Sequence, residues 1–76
     1  MEGLGIMPEQ IQITVNGQLI SVPKNTSVLR LLKQLDLDQN VVFVELNKNA
    51  LLKKEYEQTI LQPNDKLELV RVTAGG

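Results

Sequence analysis

Few side chains in this 76-residue chain could carry out a reaction. There is no histidine to act as a general base near neutral pH. There is no cysteine to act as a nucleophile. Ser21 and Ser27 are the only serines, and neither has a base close by in sequence. Asp36 and Asp38 sit where a helix should end and read as a solvated loop rather than a catalytic pair. A metal site from Asp36, Asp38 and Glu45 follows no known ligand spacing. The "GLG" at Gly3 to Gly5 lacks the strand-turn-helix context of a phosphate loop. The chain is therefore expected to be no enzyme by itself and to bind no cofactor or metal. One group remains, the α-carboxylate of Gly76, which follows Ala74 and Gly75. It is ionised at neutral pH. It could attack the α-phosphate of ATP to give an acyl-adenylate, an acyl donor toward sulfur or nitrogen. Glycine has no Cβ and tolerates unusual backbone angles. Gly75 and Gly76 in a row could thus thread a narrow channel in a partner, with Gly75 and the small Ala74 as the threading segment.

A tip of that kind needs a scaffold, and the composition says what it is made of. The length allows one domain. No cysteine or histidine can provide a disulfide or zinc staple. Phe43 and Tyr56 are the only aromatics, so the core must be Leu, Ile and Val. The formal charge is −1, and the eight basic residues are scattered in sequence without aromatic stacking platforms, which argues against a nucleic-acid partner. No apolar run is long enough for a membrane span, and "MEGLGIMPEQ" lacks a secretory pattern. The expectation is a cytoplasmic protein that is a monomer when alone.

The elements follow from local pattern. Residues 1–10 lack periodicity and are expected to be a flexible lead-in. The domain is expected over 11–72 and a reactive tail over 73–76. In "IQITVNGQLISV" the apolar residues alternate, and Asn16-Gly17 provides the two positive-φ positions of a type I′ turn. That turn sets Val15 opposite Gln18, Ile13 opposite Ile20 and Ile11 opposite Val22. Ile11, Ile13, Val15, Ile20 and Val22 then share one face, and Gln12, Thr14, Leu19 and Ser21 the other. Thr26 or Ser27 can cap a helix whose Val28, Leu31, Leu32 and Leu35 form one apolar stripe. "NVVFVELN" reads as a strand, but periodicity leaves open whether Phe43 or the Val42/Val44 pair faces the helix. A turn, a short edge strand near Leu51 and an irregular crossing segment should follow. Lys53 and Lys54 would suit that edge. After a turn at Pro63-Asn64-Asp65, Leu67 and Leu69 point one way in a last strand, and Glu68, Val70 and Val72 the other. The sum is an α+β plan, one helix across one face of a mixed sheet of four to five strands. The last strand is central if it neighbours the first. Leu19 by the hairpin register, and Val70 and Val72 if Leu67 and Leu69 face the helix, fall on the helix-free face, as a docking surface for partners.

The segments "ITVNGQ" (Ile13 to Gln18), "TSVLRLLKQL" (Thr26 to Leu35) and "VVFVELNKNAL" (Val41 to Leu51) resemble the ThiS family. So do Tyr56 and "LQPNDKLELVRVTAGG" from Leu61 onward. These are the sulfur carriers of thiamin biosynthesis, of the ubiquitin-like β-grasp superfamily. The resemblance covers Ile11 to Gly76. It departs from the family in its long lead-in and in Pro63-Asn64-Asp65, where Gly-Asp is commoner. It implies that a ThiF-type enzyme adenylates Gly76 with ATP and Mg²⁺. A cysteine desulfurase or other persulfide donor then supplies sulfur, and the resulting thiocarboxylate gives it to the thiazole synthase ThiG. Two relatives of this plan share the Gly-Gly ending: the molybdopterin-synthase small subunit and protein modifiers that form isopeptide bonds through Gly76. A third alternative is a β-grasp interaction domain whose glycines are incidental.

Overall fold

The structure is a computed structural model, which describes residues 9–72. Strands β1 (Gln10–Val15) and β2 (Gln18–Pro23) form a hairpin. Helix α1 (Val28–Gln34) follows, then β3 (Val42–Leu46), β4 (Asn49–Ala50) and β5 (Lys66–Arg71). The sheet order is β2-β1-β5-β3-β4. β5 is thus the middle strand, parallel to β1 and antiparallel to β3. This is a mixed sheet with one helix, at the upper end of the four to five strands expected.

The first hairpin has the register set by its turn: Val15↔Gln18, Ile13↔Ile20 and Ile11↔Val22. Asn16 (φ 49°) and Gly17 (φ 84°) occupy the two left-handed positions. β1 takes in Gln10, one residue earlier than the pattern suggests. Ser27, not Thr26, is the N-cap, and its Oγ accepts from the Arg30 N–H at 3.0 Å. Thr26 is buried and donates its hydroxyl to the Pro23 carbonyl at 2.6 Å. The remaining first-turn N–H groups of α1 are met from the crossing segment: Val28 donates to Thr59 and Leu29 to Tyr56. A helix of seven residues is too short to stand alone, so these bonds and its packing hold it.

The core is Ile11, Ile13, Val15 and Val22 from the hairpin, Val28, Leu31 and Leu32 from α1, and Val42, Val44 and Leu67 from the sheet. Tyr56 and Leu61 close it from the crossing segment. Val42 and Val44 point inward and Phe43 outward, which resolves the choice that periodicity left open. The short edge strand expected near Leu51 is Asn49–Ala50. Two expectations are corrected. Leu35 is the C-cap and 40% exposed, because the helix ends at Gln34 before it can complete a second turn of the stripe. Lys53 and Lys54 lie in a 3-10 turn (Lys53–Glu55), not on the sheet edge. That turn is closed by the Glu55 carboxylate accepting from the Leu52 N–H at 2.8 Å.

Candidate functional site

The chemistry expected at Gly76, and the threading role of Gly75 and Ala74, fall on residues outside the described ones. What the structure does place is the strand leading to them. Two asparagines at hairpin turns fix that strand from both sides. Asn16 donates its backbone N–H to the Leu67 carbonyl at 2.9 Å. Its side chain then accepts from the Leu69 N–H at 2.7 Å and donates to the Leu69 carbonyl at 3.3 Å. The amide group thus takes the place of the next β1 residue in the parallel ladder. Asn47 does the equivalent on the β3 side. It and Lys48 form a second two-residue turn with positive φ (51° and 72°), between Leu46 and Asn49. Its N–H donates to the Lys66 carbonyl at 2.7 Å, and its side chain accepts from the Lys66 N–H at 3.0 Å. Its Nδ2 also donates to the Asp65 carboxylate at 3.0 Å. The other oxygen of Asp65 accepts from the Gln62 N–H at 2.8 Å, which ties the Pro63-Asn64-Asp65 turn to the start of β5.

The helix-free face of the sheet is apolar at one end. Phe43 stands opposite Val70, 66% and 57% exposed. Val72 follows in the same alternation, and its N–H donates to the Val41 carbonyl at 2.7 Å. Beside them lies a shallow groove of about 280 Å³, lined by Phe43, Val44, Glu45, Ala50, Glu68 and Val70. Exposed aliphatics and aromatics gathered in one place often mark an interface. Val70 and Val72 therefore come together as expected. Leu19 does not join them. It is exposed on β2 opposite Thr14, whose β5 partner is Lys66. At ~4.8 Å per strand and ~3.3 Å per residue, that is roughly 16 Å from Val70. Phe43 is the residue that sequence reasoning left unassigned; its pairing with Val70 is a long-range register that no local pattern carries.

The acidic candidates are not gathered. Asp36 has a positive φ of 61° just past the helix. Asp38 caps a 3-10 turn (Gln39–Val41), accepting from the Asn40 N–H at 2.8 Å. Among the described residues no group of three or more acidic residues is placed to hold a metal ion. The basic residues are less scattered in space than in sequence. Lys24, Arg30 and Lys33 share a groove of about 450 Å³ between the β2–α1 loop and the helix, where Lys24 pairs with Glu9 at 3.3 Å. Among the described residues no helix is long and apolar enough to cross a membrane.

Comparison with known proteins agrees with this fold. Residues 4–76 match the model of the ThiS family. The crystal structure of a thiamine biosynthesis protein (ThiS) from Geobacter metallireducens superposes with a TM-score of 0.75 at 30% identity, covering 87% of this chain and all of that one. The solution structure of a thiamine biosynthesis protein from the same organism gives 0.73 at 29% identity, covering 87% of this chain and 88% of that one. Among curated proteins, the uncharacterized protein ycf40 of Pyropia yezoensis is 36% identical over 66 residues, 87% of this chain and 93% of its own length. The ycf40 protein of Trieres chinensis is 29% identical over 62 residues, 82% of this chain and 85% of its own length. With nearly the full chain matched, and with the mixed sheet and single helix in common, the protein belongs to the ThiS family.

Proposed function

We propose that this protein is a sulfur carrier whose Gly76 carboxylate is activated and sulfurated by partner enzymes. The observation that supports this reading most is the place of β5. It is the central strand, pinned on both sides at its start, and it ends at the apolar Phe43/Val70/Val72 face; Thr73, Ala74, Gly75 and Gly76 follow it in sequence. A partner that grips that face receives the tip in a defined direction.

The cycle runs in three steps. In a ThiF-type adenylating enzyme, with ATP and Mg²⁺ held by that enzyme, an oxygen of the Gly76 carboxylate attacks the α-phosphorus and pyrophosphate leaves. A persulfide sulfur from a cysteine desulfurase or similar donor then attacks the acyl carbon and expels AMP. A second thiol takes up the donor sulfur as a disulfide and releases the Gly76 thiocarboxylate. That group passes its sulfur to a thiazole synthase of the ThiG type for the thiazole of thiamin. The chain's own part is to hold, aim and present an unbranched acyl end. It needs no general base or nucleophilic side chain, consistent with the absence of His and Cys. The proposed place of this cycle is the cytoplasm.

Intact-mass measurement after incubation with MgATP, the adenylating enzyme and a persulfide donor tests the reading. The expected result is a gain equal to replacing one oxygen by sulfur, lost when Gly76 is deleted. A lysine conjugate in place of that gain would instead make the chain a protein modifier. An unchanged mass would remove the carrier reading.

A further inference from the structure

β5 outruns its partner on one side. The β1 pairing ends at Val15↔Leu67, whereas the β3 pairing continues to Val42↔Arg71. In an antiparallel ladder successive residues turn their N–H and C=O groups to opposite sides. Val72 donates to Val41, so it and Val70 serve β3, and the intervening Arg71 faces the other way. Leu69 faces that way too, and there the Asn16 side chain meets both its groups. Past Asn16 the hairpin turns back into β2, so β1 gives the Arg71 N–H and C=O no partner. Among the described residues the result is a short open edge in the middle of a sheet, next to the apolar end of its helix-free face.

Resting on the sulfur-carrier reading, we propose that this edge takes one extended segment of the adenylating enzyme, which pairs with the main chain at Arg71 and steers the residues that follow. The paired segment would extend the sheet where Asn16 ends it. Main-chain pairing suits the task, because it fixes direction and register while making no demand on the side chains of a slim tip. Two other occupants fit less well. A second copy meeting edge to edge would contribute, among the described residues, only Arg71 from each chain, since Leu69 is already satisfied. β1 begins at Gln10, roughly 30 Å along the strands from Arg71, and residues 1–8 precede it in sequence. Fully extended, eight residues span only about that distance.

The test uses the full chain, a purified ThiF-type enzyme and MgATP. Amide exchange is read by NMR after quenching and dissociation. In the free chain the Arg71 amide should exchange much faster than those of Val70 and Val72; bound to the enzyme, it should slow at least tenfold. Arg71→Pro removes an N–H that no ladder bond uses, a position where strands tolerate proline. In ATP–pyrophosphate exchange it should raise KM for the chain about two- to tenfold, the value of a lost hydrogen bond. Arg71→Ala, which keeps the N–H, should raise it less. If Arg71→Pro does not fold, amide exchange in the unaltered chain decides. An Arg71 amide that stays fast in a complex that turns over overturns the edge and leaves the carrier reading standing. An equal loss for Ala and Pro also overturns it, by placing the effect in the guanidinium. If the unaltered chain supports no pyrophosphate exchange, both readings fall together.

Discussion

Asn16 performs two functions that sequence statistics assign to one. Its left-handed φ of 49° is what an Asn-Gly turn asks for, and that much is plain from the pair of letters. The hydrogen bonds to Leu69 are not plain, because they join residues 53 apart in sequence. The same holds for Asn47: an Asn-Lys pair is a poor turn signal, since Lys48 at φ 72° gains nothing from its long side chain there. Substitution separates the two roles of Asn16. Asn16→Gly keeps the backbone at ease and loses only the side-chain bonds, so it should cost about 1–2 kcal/mol. Asn16→Ala adds the steric penalty of a Cβ at positive φ and should cost roughly 1 kcal/mol more. Urea unfolding monitored by circular dichroism measures both. A glycine variant as stable as the parent would mean that the side chain contributes nothing to holding β5.

Elements show where periodicity informs and where it misleads. The stripe Val28, Leu31, Leu32 and Leu35 is regular, yet only the first three are buried. The helix stops at Gln34, and Asp36 takes the left-handed turn that redirects the chain toward β3. Leu35 therefore lies on the rim, although its spacing is that of a core residue. Leu32→Ala should destabilise by about 2–5 kcal/mol, the cost of a cavity in a close-packed core. Leu35→Ala, at 40% exposure, should cost well under half of that. Denaturant midpoints for the pair check the difference, and equal losses would mean the helix packs through its last turn after all. β3 presents the converse case. "VVFVELN" is apolar on both faces, and local pattern has no means of ranking Phe43 against Val42 and Val44. Two small β-branched side chains fit beneath a seven-residue helix, and Tyr56 seals them, its hydroxyl donating to the Val42 carbonyl at 3.0 Å. The ring of Phe43 is left for the outer face. That outcome depends on an irregular segment whose course is set by backbone bonds to α1 and to the loop before it, such as Val28 N–H to the Thr59 carbonyl and Leu61 N–H to the Thr26 carbonyl, both at 2.9 Å. Such bonds leave no periodic trace.

For the whole molecule, sheet order decides what the proposed carrier role would have to work with. Parallel pairing of β1 and β5 puts the last strand in the middle, where its course is constrained on both sides. The order also decides which exposed apolar residues belong together. Val70 and Phe43 are 27 positions apart in sequence and directly opposite in the sheet, whereas Leu19 is exposed on the outermost strand. If the Phe43/Val70 end is the docking face, a charge there should harm partner recognition without harming the fold. Neither residue is in the core, so Val70→Asp and Phe43→Asp should unfold within about 1 kcal/mol of the parent. Each should raise KM for the chain in adenylation about tenfold or more, as loss of a buried interface anchor does. Leu19→Asp introduces the same charge on the same face roughly 16 Å away and should change KM far less. Steady-state ATP–pyrophosphate exchange with the three variants decides it. Equal effects at Leu19 and Val70 would spread the contact over the full sheet. Unaltered kinetics for both Val70→Asp and Phe43→Asp would remove the face from recognition and leave the partner to grip the tail and the β5 edge alone.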